Sequence, residues 1–326
     1  MQIPADVRGV IEEIVARIPP AALRRAVAAM TAHYRGHGRT GSLDLAAEER
    51  LAAYLVTRLP ATYAAARAAM REVYRRVGDA PIVSMLDLGA GAGAATLAAR
   101  RVFPALGRCT LIERDRAFAG VAGKLVPGAD VRVADVRRFH PPDACDLVVM
   151  GYMLGELPER DRHAMVERAW QAARVALLVL EPGSPAGFEI VRLARDQLLR
   201  SGARMIAPCP GEGSCPMPPG DWCHFGQRVE RSSLHRRMKG GTLGYEDEKF
   251  SYVALARQEV HRAQARIIRR PAQSPGLVHL TLCSGAAILS ERISRRNPAL
   301  FRAARQAGWG DEWRPCMMAE GDPTCS

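Results

Sequence analysis

The stretch LDLGAGAGAAT, Leu86 to Thr96, constrains the fold more than any other part of the chain. An apolar run, PIVSMLDLG, leads into Gly89, Gly91 and Gly93, and the helix-like ATLAARRVF follows at once. Glycines at such a junction let the backbone turn tightly and approach a ligand closely, with the N-terminus of the next helix facing it. The runs CTLIERD, VRVAD, CDLVVMG and VALLVLEPG come next, each alternating with a helical pattern. That rhythm predicts an α/β chain built on a doubly wound, Rossmann-like parallel sheet.

Residues 1–78 precede this core with apolar spacing of three and four residues and many alanines, as in LAAYLVTRLPATYAAARAAMREVYRRV, which predicts an N-terminal helical region. The ligand-binding core then spans 79–200, its last helix running from about Pro185 to Leu199. Residues 201–245 form a Cys/Pro/Gly-rich insertion, and KFSYVALAR and LVHLTLCS are expected to supply the last strands of the core sheet within 246–290. A basic, aromatic tail takes up 291–326. The start MQIPADV lacks the charged and apolar regions of a signal peptide, and apolar runs such as VALLVL at 175–180 are too short to span a bilayer. A cytoplasmic protein with no membrane partner is expected.

The glycine string also satisfies the loose dinucleotide pattern G-x-G-x-x-A, so the glycines alone fit either a nicotinamide cofactor or S-adenosylmethionine. Asp87, just before the first glycine, and Glu113, at the end of the next strand and 20 residues beyond Gly93, resemble motif I and the ribose-binding acid of class I S-adenosylmethionine-dependent methyltransferases. That resemblance implies cofactor contacts from Asp87, Gly89, Ala90, Gly91 and Gly93, with Glu113 accepting from the ribose hydroxyls and Asp135 beside the adenine amino group.

Catalytic residues stay unassigned, because methyl transfer to nitrogen needs little beyond alignment and a path for the proton. The fourth strand ends in GYMLGELPERD, without the Asn/Asp-Pro-Pro-aromatic signature of adenine enzymes. Cys145 precedes its strand and Cys209 lies in a loop, so neither matches a cytosine C5 nucleophile, and the radical spacing C-x3-C-x2-C is absent. Tyr152 and Glu156 line up on the substrate side, where they read equally well as a packed aromatic and a helix-start acid.

Eight cysteines in 326 residues are too sparse for a disulfide scaffold. Cys209, Cys215 and Cys223 are separated by five and seven residues, and Cys283 lies 59 residues further on. These gaps are wider than zinc knuckles use, and by spacing alone they suit zinc and an iron-sulfur cluster equally, with free thiols also open. The segments PCP, SCP and DWCHFGQRVER, with the strand-end cysteine after KFSYVAL, resemble the methyltransferase-like small-ribosomal-subunit assembly family of bacteria and mitochondria. The likeness runs from AAYLVTRLPATYAA through LDLGAGAGAAT and LEPG to ARQAGWGDEW. It implies a [4Fe-4S] cluster on Cys209, Cys215, Cys223 and Cys283, with zinc as the alternative. Cys109, Cys145, Cys316 and Cys325 are then ordinary small residues, and Trp222 and His224 pack around the centre rather than ligate it.

Lys and Arg outnumber Asp and Glu by 46 to 34, and the net charge of +12 favours an anionic partner. Arg228 to Arg270 hold eleven basic against five acidic residues, and Arg292 to Arg305 add five arginines around Phe301. With the family resemblance, small-subunit ribosomal RNA is the expected partner, not DNA, and a monomer is expected to bind it. The leading expectation is therefore an S-adenosylmethionine-binding, cluster-containing ribosome-assembly protein. The alternatives are an active rRNA methyltransferase and, more weakly, a small-molecule methyltransferase with structural zinc.

Overall fold

A computed structural model describes residues 2–35, 45–78, 81–140, 143–239 and 243–314. The chain opens with four helices, α1 (Ala5–Val15), α2 (Pro20–Arg35), α3 (Ala47–Thr57) and α4 (Leu59–Arg76). In α4, Pro60 occupies the first turn, where its missing N–H costs nothing, and Leu59, Tyr63, Ala66, Met70 and Val73 bury one stripe at helical spacing.

The core alternates strand and helix as its rhythm predicts: β1 (Ser84–Leu88), α5 (Ala94–Val102), β2 (Arg108–Glu113), α6 (Arg116–Leu125), β3 (Asp130–Val133), β4 (Cys145–Gly151), α7 (Glu159–Ala172), β5 (Ala173–Pro182) and α8 (Pro185–Arg200). The later elements are β6 (Arg204–Ala207), β7 (Phe225–Glu230), α9 (Ser233–Lys239), β8 (Tyr245–Ala256), β9 (Ala265–Ile267), β10 (Ala272–Ser274), β11 (Leu277–Cys283), β12 (Ile288–Ser294), α10 (Pro298–Gln306) and β13 (Glu312–Trp313).

The main sheet runs in the order β3-β2-β1-β4-β5-β8-β6, with β7 also paired to β8. Strands β1 to β5 pair in parallel, while β8 lies antiparallel to β5, β6 and β7. This is a doubly wound, Rossmann-like α/β fold, and the glycine turn after β1 sits at the switch point, where strand order reverses between β1 and β4. Both faces are covered. Along β4, Leu147 and Val149 enter the core shared with α4, α5 and α6, whereas Val148 and Met150 enter the one shared with α7 and α8. Truncating such a fully buried leucine to alanine costs about 2–5 kcal/mol.

The strands expected in 246–290 divide between two sheets. KFSYVALAR joins the core as β8, but LVHLTLC, which becomes β11, belongs to a separate five-stranded antiparallel sheet of β10-β11-β9-β13 with β12 on β11. The physical reason is visible in its alternation. Val278, Leu280 and Leu282 are buried while His279 is exposed, the pattern of a strand with one covered face. Two further boundaries shift. Residues 201–245 contribute β6 and β7 to the core sheet, and the tail expected from 291 holds the end of β12, α10 packed against β11 and β12, and β13 of the second sheet. No helix among the described residues is long and apolar enough to cross a membrane.

Candidate cofactor cradle and cysteine centre

The turn after β1 is a backbone cradle. Gly89, Gly91 and Gly93 all take positive φ, at 71°, 55° and 83°. A Cβ on Gly93 would stand 2.8 Å from Val126, and one on Gly89 2.8 Å from the Met153 Cβ, so these two positions are closed to any side chain. Glu113 ends β2 directly alongside: it accepts from the Gly91 N–H at 2.9 Å and the Asp115 N–H at 2.8 Å. Asp87 lies beneath the loop, buried, and accepts from the Thr96 hydroxyl at 2.7 Å; burial pushes its carboxyl up to about 6. It buttresses the turn from below. Ala90 is buried at the turn and donates to the Ile112 carbonyl. Asp135 follows β3, where the Arg137 guanidinium holds its carboxyl down to about 2.

Sequence reasoning did not find the side chains that close over this cradle. From α3, Tyr54 brings its hydroxyl to 3.4 Å from where a Gly91 Cβ would sit, and its ring meets Phe118 edge to face at 5.0 Å. Arg50 on the same helix pairs with Asp115 at 2.5 Å. A helical region far upstream in sequence leaves no local signal of such a contact.

On the far side of the switch point, Tyr152 adopts a φ of 58°, a strained conformation for a non-glycine residue, and its hydroxyl donates to Glu248 at 3.4 Å. Arg58 grips the same carboxylate at 2.8 and 3.1 Å. Glu181, buried at the end of β5, accepts from the Leu154 and Gly155 N–H groups, and burial pushes it up to about 8. Glu156 is exposed and stands 3.5 Å from Arg114. These groups shape the substrate side without assembling a nucleophile–base pair.

Cys209, Cys215, Cys223 and Cys283, drawn from the insertion and from the end of β11, line one mostly apolar cavity. Gly285 makes the meeting possible. Its φ is 88°, and a Cβ there would lie 2.7 Å from the Gly211 backbone, so the turn after β11 packs backbone to backbone against the cysteine loop. Burial pushes the Cys209 thiol up to about 11, with Cys283 and Cys215 raising it further; Cys223 is raised by burial and by the other three sulfurs. The sulfurs therefore share one electrostatic environment. An all-thiol donor set in a mostly apolar pocket suits a soft centre, zinc or iron-sulfur. Among the described residues no group of three or more His, Cys, Asp or Glu is placed to hold a metal ion as it stands.

Trp222 and His224 stack at 5.3 Å, His224 meets Trp309 edge to face, and Trp222 donates to the Gly183 carbonyl at 2.9 Å. Both serve as packing. Cys109 is buried in the core and Cys145 begins β4, whereas Cys316 and Cys325 lie outside the described residues.

The basic stretch from Arg228 to Arg270 has less to offer a phosphate than its count implies. Arg266 is fully buried, Arg257 stacks on Trp170 at 3.9 Å, and Arg228, Arg231, Arg262 and Arg269 each hold a carboxylate. By contrast Arg292 on β12, Arg295 and Arg296 in the turn after it, and Arg302 and Arg305 on α10 are all exposed.

A family profile described as mitochondrial small ribosomal subunit Rsm22 matches residues 48–314. The human ribosome assembly protein METTL17, mitochondrial, is 30% identical over 286 residues, covering 79% of this chain and 61% of that protein. The Rsm22-cox11 tandem protein 2, mitochondrial, of Schizosaccharomyces pombe is 22% identical, covering 81% of this chain and 43% of that protein. The chain thus spans between two fifths and two thirds of the length of these relatives. Among solved structures, the plantazolicin methyltransferase BpumL in complex with SAH aligns with a TM-score of 0.42 at 12% identity, covering 77% of this chain and 99% of that one. A putative RNA methyltransferase, PH1948 from Pyrococcus horikoshii, aligns with a TM-score of 0.39 at 16% identity, covering 59% and 81%.

Proposed function

The chain belongs to the Rsm22 family of small-ribosomal-subunit proteins, and from that premise we propose that it binds S-adenosylmethionine and a [4Fe-4S] cluster and engages small-subunit rRNA during ribosome assembly. One observation carries the reading: four cysteines separated in sequence, three in the loop between β6 and β7 and one at the end of β11, converge on a single cavity, beside a core that keeps its glycine cradle. Cys209, Cys215, Cys223 and Cys283 would hold the cluster, which supplies rigid cross-links to a Pro/Gly loop with little apolar surface of its own. Gly89, Ala90, Gly91 and Gly93 would face the cofactor, with Glu113 on its ribose, Asp135 on the adenine side and Asp87 supporting the turn from beneath. The exposed arginines of the second sheet would meet phosphates. The proposed binding unit is a monomer, and the relatives carry mitochondrial names.

Anaerobic purification followed by iron and acid-labile sulfide analysis tests the proposal. Four irons and four sulfides per chain are expected; zinc in their place, or no metal, overturns the cluster. A second reading, methyl transfer to small-subunit rRNA, is favoured by the cradle, which carries both its glycines and its strand-end acid. It predicts one missing methyl mark in small-subunit rRNA from a deletion strain, and a complete set of marks refutes it.

A further inference from the structure

The wall of the cysteine cavity contains a buried cation. Arg195, on α8, is 5% exposed and lines the cavity together with all four cysteines. Its guanidinium donates to the carbonyls of Gly213 at 2.6 Å and Gly211 at 3.2 Å, inside the loop that carries Cys209 and Cys215. It also reaches Asp196 at 2.6 Å, and its charge acts on the Cys209 thiol of the same cavity wall, while its Nε–H, fully buried, has no partner among the described residues. The second buried guanidinium on this cavity, Arg266, is already committed, to Glu72 at 2.5 Å and to the carbonyls of Pro208 and Gly310. Of these two guanidiniums on the cavity, Arg195 alone therefore keeps an unspent donor.

A burial this deep is costly for a cation unless something anionic accompanies it. Asp196 is partly exposed and supplies only part of that charge. Four thiolates outweigh the positive core of a cluster, so the loaded centre is itself anionic, and its potential follows net charge and hydrogen bonds to the sulfurs. We infer that Arg195 is a positioning residue of the cysteine centre, which fixes the 209–215 loop through the Gly211 and Gly213 carbonyls and raises the centre's reduction potential through its charge beside Cys209. The inference rests on the cluster reading above. Reduction adds one electron, supplied in the test by dithionite, to an already anionic centre, and a nearby guanidinium favours the more negative state.

The test compares full-length protein with Arg195→Lys and Arg195→Gln, all purified anaerobically, for iron content and for midpoint potential by a dye-mediated titration followed by electron paramagnetic resonance. Lysine keeps the charge and glutamine keeps only a donor. The expected result is a Gln variant that is harder to reduce than wild type and a Lys variant close to it. Iron lost from the Gln variant alone, with Lys loaded at the wild-type potential, supports the charge assignment too. Both variants loaded at the wild-type potential, or both losing iron alike, overturns it, since a purely structural arginine predicts one or the other. Wild-type protein without iron overturns the cluster reading itself, before either variant is measured.

Discussion

Glu113 accepts one backbone N–H at each oxygen, from Gly91 and from Asp115, which leaves each oxygen a further lone pair for a ribose hydroxyl. A hydrogen bond to a charged group contributes about 1.5–3 kcal/mol, so Glu113→Ala should weaken S-adenosylmethionine binding by roughly 10- to 100-fold. Unchanged affinity by calorimetry refutes the ribose role. Glu181 gives a second prediction at this scale. Burial lifts its carboxyl to about 8 against the attraction of two N–H donors, so the folded chain holds a proton that the unfolded chain releases. The stability it contributes is fully present below the ordinary carboxyl range near 4.5 and is lost as pH rises through 8, at up to about 1.4 kcal/mol per pH unit inside that window. Glu181→Gln keeps an oxygen acceptor and removes the titration. The wild-type stability, taken relative to this variant by urea unfolding, should therefore fall between pH ~5 and ~8. A flat difference would place the proton elsewhere.

At the scale of elements, the cysteine loop is held at both ends by the core sheet: β6 and β7 both pair with β8, and the Ser251 hydroxyl donates to the Cys223 carbonyl at 2.8 Å. Cys215→Ser should consequently abolish the centre and speed amide exchange in 208–224, while β7, β8 and the parallel strands keep their protection. If exchange instead accelerates throughout β1 to β5, the centre is part of the core's own stability. Much of this level was legible in the sequence. The alternation of apolar runs with helical patterns gave β1 to β5, and the break of three glycines located the cradle. The second sheet is harder to read, because LVHLTLC follows KFSYVALAR as one more apolar run and only its period-two pattern separates it from the doubly covered strands. Arg195 and Tyr54 were invisible for a different reason. In LARDQLLR and LAAYLV each sits in an ordinary helical pattern, and only tertiary packing aims it at a site.

For the whole molecule, the helical region and the second sheet are tied together through a largely buried charge network. Glu72 on α4 meets Arg266 on β9 at 2.5 Å and Arg76 at 3.0 Å, and Arg76 in turn pairs with Glu312 on β13. Burial pushes Glu72 up, but the guanidiniums of Arg266 and Arg76 more than offset it and hold the carboxyl below its usual value. Removing one member of such a network strands a buried charge, so this junction sets the second sheet firmly against the helical region. The same arrangement decides which arginines are left open to the proposed RNA. Charge counting along the sequence points to both basic stretches, yet folding buries Arg266, lays Arg257 on the Trp170 ring and pairs several others of the first, while the five arginines between 292 and 305 stay exposed, with Arg295 5.9 Å from the Phe301 ring. If these meet phosphates, each lost contact lowers the salt dependence of binding by roughly 0.7 in log–log slope for single-stranded RNA. Replacing Arg295, Arg296 and Arg302 with serine should therefore reduce that slope by about 2 and weaken binding to in vitro transcribed small-subunit rRNA across sequences, with cluster content unchanged. A slope equal to wild type would move the RNA contact off the second sheet and onto the β7–β8 face, where Arg228 and Arg231 would first have to exchange Asp247 and Glu246 for phosphate.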